Sequence, residues 1–325
     1  DISHRSVKKR LLGREWAMPV ALAPVGLTGM QCANGEILAA RAAKTFGIPY
    51  TLSTMSICSL EDIAEGTDGH PFWFQLYMMK DRKIAAHLIK RAKKENCSAL
   101  VLTVDLQVMG ERYVDARNGL KTGNPVCLGN MWELIKRWQW GMGMLKTKRR
   151  GFGNILGSVD TVSDPASLIA WVSEQFDLKL NWMDIEWVKS YWDGPLIIKG
   201  IMEVEDALNA VEAGVDAIIV SNHGGRQLDG APPTITVLSD IVAAVDGRVK
   251  VFVDSGIRSG QDVLRALALG ADGAFIGRPY IWGLGAEGEA GVLKVLKLFH
   301  SQLDISMAFC GLTNVDDVDS RILYI

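Results

Sequence analysis

The sequence predicts an α/β chain closed into a (β/α)8 TIM barrel, and three observations carry that prediction. Eight short apolar runs recur, each trailed by a longer stretch with helical periodicity. The runs are apolar on both alternations, as parallel strands covered on one face and packed on the other must be. The length, 325 residues, accommodates eight such units with room for one insertion. A doubly wound open sheet is the competing arrangement, but no G-x-G-x-x-G opens the first helix.

In order, the strand runs are Pro19–Pro24, Ile48–Ser53, Phe72–Tyr77, Ala99–Asp105, Pro195–Gly200, Ala217–Asn222, Val249–Gly256 and Gly273–Arg278. Between them, apolar residues at three- and four-residue spacing predict helices over Glu36–Phe46, Ile84–Asn96, Val204–Ala213 and Ser259–Leu269. Gly214 and Gly270 follow the last two, where a helix C-terminus favours glycine. One interval breaks the rhythm. About ninety residues, 106–194, separate the fourth and fifth strands, where a βα unit needs roughly thirty. The chain therefore reads as one domain over 1–325 with a long insertion after strand four.

Composition excludes several function classes. Thirty-five Lys and Arg against thirty-seven Asp and Glu leave a net charge of −2, without the positive surplus a nucleic-acid binder needs. Five cysteines, widely spaced and without a C-x-x-C pair, argue against a disulfide framework or a structural zinc. The five histidines have no ligand spacing to one another or to cysteine, so no metal site is expected. No run of eighteen apolar residues is long enough to span a bilayer. The chain begins at Asp1 without a methionine or a signal-peptide pattern and reads as a fragment.

In a barrel of this kind chemistry sits at the C-terminal ends of the strands. Those ends carry Ser53, Gln75 and Tyr77, Thr103 and Asp105, Lys199, Ser221 to His223, Asp254, and Gly277 with Arg278. The sharpest signal is SNHGGRQLD, residues 221–229: His223 just past a strand, glycines that let a ligand approach the backbone, and Arg226 three residues on. That pattern suits a general base beside an anion clamp. Glycine-rich loops with Arg258 and Arg278 follow strands seven and eight, the place where such barrels bind phosphate.

SNHGGRQLD resembles the FMN-dependent α-hydroxy-acid dehydrogenase/oxidase family, and the resemblance runs through PVALAPVGLTGM, TLSTMS, FWFQLY, LTVD with GERYVD, IIKG, VDSGIRSG, ALALGADGAFIGRP and AEGEAGV. MPVALAPVGLTGM, GIPYTLSTMSIC, TVD with GERYVDA, and FWFQLY carry a narrower likeness to its bacterial quinone-linked L-lactate dehydrogenase branch. The resemblance implies FMN as cofactor, and an L-2-hydroxy acid, foremost L-lactate, as substrate. It makes His223 the base and Asp105 the carboxylate that holds its imidazolium. Arg112 and Arg226 would bind the substrate carboxylate, and Tyr77 the substrate hydroxyl. Lys199 would lie near N1 and O2 of the flavin, where a cation favours the reduced form. Pro24, Val25 and Gly26 would face the ring. Ser53, Gln75, Thr103 and Ser221 would meet polar parts of the cofactor, Asp254 the ribityl chain, and Gly256, Arg258, Gly277 and Arg278 the phosphate. The Cα hydrogen leaves either as a hydride or as a proton taken by His223. The family's N-terminal tyrosine has no counterpart, since the chain enters just before strand one. Gly26 stands where the short-chain oxidases have alanine, and Met55 where glycolate oxidase has tryptophan. An oxidase that uses oxygen, or a mandelate or other 2-hydroxy-acid dehydrogenase, is the alternative. Relatives are often tetramers, so a homo-oligomer is expected.

Seven of the ten tryptophans fall between Trp132 and Trp192, so the insertion is expected to do more than pack on the barrel. Met131, Trp132, Leu134, Ile135, Trp138, Met142 and Leu145 recur at helical spacing. Six cations and one anion lie between residues 131 and 150. Tryptophan, aliphatic residues and clustered cations describe a helix in a membrane interface facing anionic lipid. The alternative is a helix packed on the barrel or on another subunit. A peripheral position on the cytoplasmic side of the inner membrane would bring the flavin near a quinone; a soluble cytoplasmic enzyme is the other expectation.

Overall fold

Eight parallel strands close on themselves. They are β3 (Val20–Leu22), β4 (Thr51–Ser53), β5 (Trp73–Tyr77), β6 (Ala99–Thr103), β7 (Leu196–Ile201), β8 (Ala217–Val220), β9 (Lys250–Val253) and β10 (Gly273–Ile276). The computed structural model describes residues 1–110, 113, 117, 137–155 and 174–324. The sheet runs β3-β10-β9-β8-β7-β6-β5-β4, with every pair parallel. A bridge from Leu22 to Tyr50 joins its two ends, with the Leu22 amide donating to the Pro49 carbonyl at 3.0 Å. The expected (β/α)8 barrel is the fold.

Seven of the eight strands are shorter than their apolar runs because the runs continue into the turns, where several of the polar residues that matter later lie; β7 equals its run in length and reaches one residue further, to Ile201. Two apolar layers follow from burial on both faces. One lies between strands and helices; the other fills the barrel, from Ala21 and Trp73 through Val101, Ile197 and Ile219 to Phe252 and Phe275. Helices occupy Gly35–Phe46, Leu60–Gly66, Arg82–Lys94, Met183–Tyr191, Val204–Glu212, Thr234–Val245 and Gly260–Ala268. Their starts are chemically marked: Ser59 and Ser259 each accept the amide three residues on, and Asp81 accepts that of Lys83. After Arg82–Lys94 it is Asn96, at φ +58°, that takes the left-handed turn in place of a glycine.

The chain does not enter directly at the first barrel strand. A hairpin of β1 (Lys9–Leu11) and β2 (Arg14–Trp16) precedes it and closes the N-terminal end of the barrel. Leu11 and Trp16 are buried there, and the Trp16 ring stacks on Phe252 at 5.8 Å with 9° between planes. A long C-terminal helix, Arg278–Phe309, bends at Glu287 and Gly288 and packs on Gly35–Phe46. Between β6 and β7, the described part of the insertion includes a helix at Trp138–Lys146. Met131, Trp132, Leu134 and Ile135 lie outside the described residues.

Candidate active site

Six polar side chains are buried where apolar strands end: Ser53, Gln75, Thr103, Lys199, Ser221 and Asp254. Each must find a partner or remain costly. Lys199 finds two, Asp254 at 3.0 Å and the Ser221 hydroxyl at 2.5 Å. Burial pushes the Lys199 ammonium down, yet Asp254 and Asp105 outweigh it and hold it above the ordinary lysine range. Gln75 accepts from the Ser53 hydroxyl at 3.2 Å and the Thr54 amide at 3.3 Å through Oε1. Its Nε2, and the Thr103 hydroxyl, are buried with no partner among the described residues. The two unpartnered donors lie on the adjacent strands β5 and β6, two residues apart in register.

His223 stands at this mouth with φ +59°, a left-handed conformation that costs a non-glycine residue about 1 kcal/mol or more. Its Nδ1 lies 2.8 Å from Asp105 Oδ1. Burial raises the Asp105 carboxyl, but Lys199, then the His223 hydrogen bond and charge, pull it below the usual carboxylate range. An ionised carboxylate only accepts, so Nδ1 carries the proton and Nε2 is left with the lone pair. That is the tautomer a general base needs. The stability from these charges is bounded on both sides. Asp105 contributes above its unfolded range and loses the contribution as pH falls through its depressed folded value; Lys199 contributes below its unfolded range and loses it as pH rises through its elevated one.

Gly200 is what lets Asp105 in. It adopts φ +111°, and a Cβ there would come within 2.7 Å of Asp105 Cβ. The His223 loop is tied down by Gln227, whose amide donates to the Val108 carbonyl at 2.9 Å, and it carries Arg226, half-buried. Arg112 lies outside the described residues. Tyr77 is buried and meets Phe176 edge to face at 5.3 Å.

At the far side of the mouth lie the loops after β9 and β10. Gly256, at φ +104°, leaves open space beside it. Arg278 donates to the Gly224 carbonyl at 3.0 Å, and the exposed Arg258 guanidinium sits 5.5 Å over the Trp282 ring. Gly277 begins the turn into the last helix. Pro24, Val25 and Gly26 follow β3, and a Cβ on Gly26 would be only 3.2 Å from Met55 Cβ. Gly26 is therefore matched to Met55 as much as to any ligand. Sequence reasoning missed Glu36, fully buried, whose Oε1 accepts the Gly29 and Ile57 amides at 2.9 Å each and so pins the loops after β3 and β4 together.

With this geometry in hand, the chain matches the FMN-dependent dehydrogenase family model over residues 1–325. It is 44% identical over 325 residues to the L-lactate dehydrogenase of Chromohalobacter salexigens, covering 99% of this chain and 82% of the relative. To that of Vibrio cholerae it is 43% identical over 319 residues, covering 98% and 84%. Among solved structures, the monotopic membrane protein (S)-mandelate dehydrogenase superposes with TM-score 0.94 at 34% identity, over 100% of this chain and 85% of that one. A mandelate oxidase follows at TM-score 0.80 and 38% identity, over 98% and 82%.

Proposed function

The chain belongs to the FMN-dependent dehydrogenases and oxidises a 2-hydroxy acid with FMN, and from that premise we propose that its substrate is L-lactate, its product pyruvate, and its electron acceptor a membrane quinone. The observation that carries the reading of the site is the His223–Asp105 pair, 2.8 Å apart at the barrel mouth, with Lys199 next to it.

The residues present fit FMN. The unpartnered Gln75 and Thr103 donors suit the polar edge of the ring, and Ser53 and Ser221 border it. Lys199 supplies a buried cation beside it. Asp254, between Lys199 and the loop at Gly256, suits the ribityl hydroxyls. Gly256, Arg258, Gly277 and Arg278 would hold the phosphate, and Pro24, Val25 and Gly26 would present backbone to the ring. FMN, when bound, would supply the two-electron acceptor for the substrate.

The protein's own groups do the rest. Arg226, with Arg112, binds the substrate carboxylate and so fixes which face of the carbon is presented. Tyr77, steadied by Phe176, donates toward the substrate oxygen. His223 Nε2 takes a proton as the hydroxyl becomes a carbonyl, and Asp105 stabilises the resulting imidazolium. Without the Asp105 charge that cation would stand unpaired in a partly buried place.

The insertion supports a peripheral seat on a membrane, and we place it at the cytoplasmic face of the inner membrane as part of the same proposal. Trp138, Met142 and Leu145 are exposed rather than packed on the barrel, and Lys146, Lys148, Arg149 and Arg150 follow them. No helix among the described residues is long and apolar enough to cross a membrane. A homo-oligomer with cyclic symmetry would present several of these helices to one surface.

The test is anaerobic reduction of the bound flavin by L- and D-2-hydroxy acids, short-chain and aromatic, followed by reoxidation with oxygen or with a quinone. Fastest reduction by L-lactate and preferential reoxidation by quinone are expected. Faster reduction by L-mandelate would move the substrate to the aromatic acids, and rapid reoxidation by oxygen would make the enzyme an oxidase.

A further inference from the structure

Ser255 has a left-handed backbone, φ +67°, next to a glycine that would adopt it freely. Strain at a non-glycine residue persists where the side chain is needed. Its hydroxyl makes three hydrogen bonds. It donates to Asp254 Oδ1 at 2.7 Å and accepts the amides of Gly224 at 2.9 Å and Asn222 at 3.3 Å. Those amides flank His223. On the other side, the His223 amide donates to the Ser221 hydroxyl at 3.1 Å, and that hydroxyl is held by Lys199. Lys199 and Asp254 are themselves paired at 3.0 Å.

Two serines thus connect one buried ion pair to the backbone on both sides of the strained His223. Ser221 works from the lysine and Ser255 from the aspartate. We propose that Ser255 is a positioning residue that locks the His223 turn to the Lys199–Asp254 pair, so that the base and the cation beside the flavin are set as one unit. The role rests on the reading of His223 as base and Lys199 as the flavin's cation. It follows from hydrogen-bond chemistry: a hydroxyl can donate once and accept twice, and Ser255 does all three between a carboxylate and two amides. Glycine in its place relieves the strain and removes the hydroxyl that donates to Asp254 Oδ1, leaving the carboxylate to draw more fully on Lys199. The turn is then held on one side only.

The test compares holoenzyme with Ser255→Gly, Ser255→Ala and His223→Ala. In Ser255→Gly the proposal expects FMN retained at full stoichiometry and an unshifted melting temperature. It expects the limiting rate of anaerobic flavin reduction by L-lactate to fall by about tenfold, since sub-ångström misplacement of a catalytic group carries such losses. It also expects the midpoint potential of bound FMN to become more negative, a change that a merely structural role does not produce. Ser255→Ala should reproduce both changes with lower stability, because it keeps the strain. A wild-type rate and potential in Ser255→Gly overturn the proposal, as does a loss of FMN and melting temperature with no change of potential. His223→Ala separates the two levels: normal reduction there overturns the base assignment itself, whereas loss there with an unaffected Ser255→Gly overturns the role of Ser255 alone.

Discussion

The two ends of the barrel are made by the same eight strands and hold opposite chemistries. At the N-terminal end the strands deliver Trp73, Phe252 and Phe275, and the hairpin adds Leu11 and Trp16 to fill the space. Rings meet there at 5.6 to 6.4 Å. At the C-terminal end the same strands stop at Ser53, Gln75, Thr103, Lys199, Ser221 and Asp254, equally buried. Burial is thus no guide to purpose. What differs is what the buried atoms are: the bottom is filled by rings and aliphatic side chains, while the mouth gathers polar groups, of which Gln75 Nε2 and the Thr103 hydroxyl have no acceptor among the described residues. Substitutions should therefore separate cleanly, with those at the bottom acting on stability and those at the mouth on chemistry.

The largest effect belongs to the mouth. His223→Ala should lower flavin reduction by L-lactate on the order of 10²–10⁴-fold, the usual share of general base catalysis. FMN content should hold, because the imidazole is not among the groups assigned to the cofactor, while the melting temperature should fall modestly, since Asp105 Oδ1 loses its partner. Stopped-flow absorbance of the flavin band checks it, and near-normal rates would remove His223 from the mechanism. The counterpart at the bottom is Trp16→Ala, which empties a stacked, fully enclosed site. It should cost about 3–5 kcal/mol of unfolding free energy in denaturant titration, as large aromatic truncations do. The folded fraction should reduce its flavin at the wild-type rate. A rate loss without a stability loss would erase the contrast between the two ends.

That contrast also explains what the sequence made legible. Eight strands could be read because burial on both faces leaves uninterrupted apolar runs, and the mouth because its polar residues end those runs. The hairpin could not be read. Its strands are three residues each, KRL and REW, with only Leu11 and Trp16 turned inward, too short for any period. Glu36, Gly200 and Ser255 escaped for another reason. Each is justified by atoms distant in the chain, as Gly200 is by Asp105, and no local pattern encodes that. Arg112, assigned from its resemblance alone, lies outside the described residues and acquires its role only by experiment.

A smaller effect is expected where the mouth meets solvent. Arg258 and Arg278 are exposed and held by a ring and a carbonyl rather than by buried carboxylates. Replacing either by alanine should weaken FMN binding by about 1.5 kcal/mol, the lower end for a hydrogen bond to a charged group. Riboflavin, which lacks the phosphate, should bind the apoprotein as before. Equal losses for both ligands would show that the arginines shape the loops rather than hold phosphate.

The smallest effect per residue, and the one that extends the comparison beyond the barrel, concerns the exposed face of Trp138–Lys146 and the cations after it. This segment is neither a satisfied core nor a mouth. Trp138 and Leu145 point outward, while Trp140 donates to the Met30 carbonyl at 2.8 Å, and Arg149 pairs with Asp62 at 2.7 Å. Arg149 is thus already engaged with the barrel, so Lys146, Lys148 and Arg150 are the cations to remove. Each cation near an anionic surface contributes about 1 kcal/mol, fading within a Debye length. Changing these three to glutamine should weaken sedimentation with anionic vesicles by roughly two orders of magnitude at low salt, from about 3 kcal/mol in all. Binding should persist in part at high salt, because Trp138, Met142 and Leu145 do not depend on charge. Trp138→Ala with Leu145→Ala should remove that salt-resistant part. In both variants a soluble dye should still accept electrons from FMN at the wild-type rate, since no residue of the His223 network is touched, while quinone turnover in vesicles falls with binding. Vesicle binding indifferent to both sets of changes and to lipid charge would assign the exposed face to contact between subunits, and the same variants would then alter the oligomer's size in sedimentation.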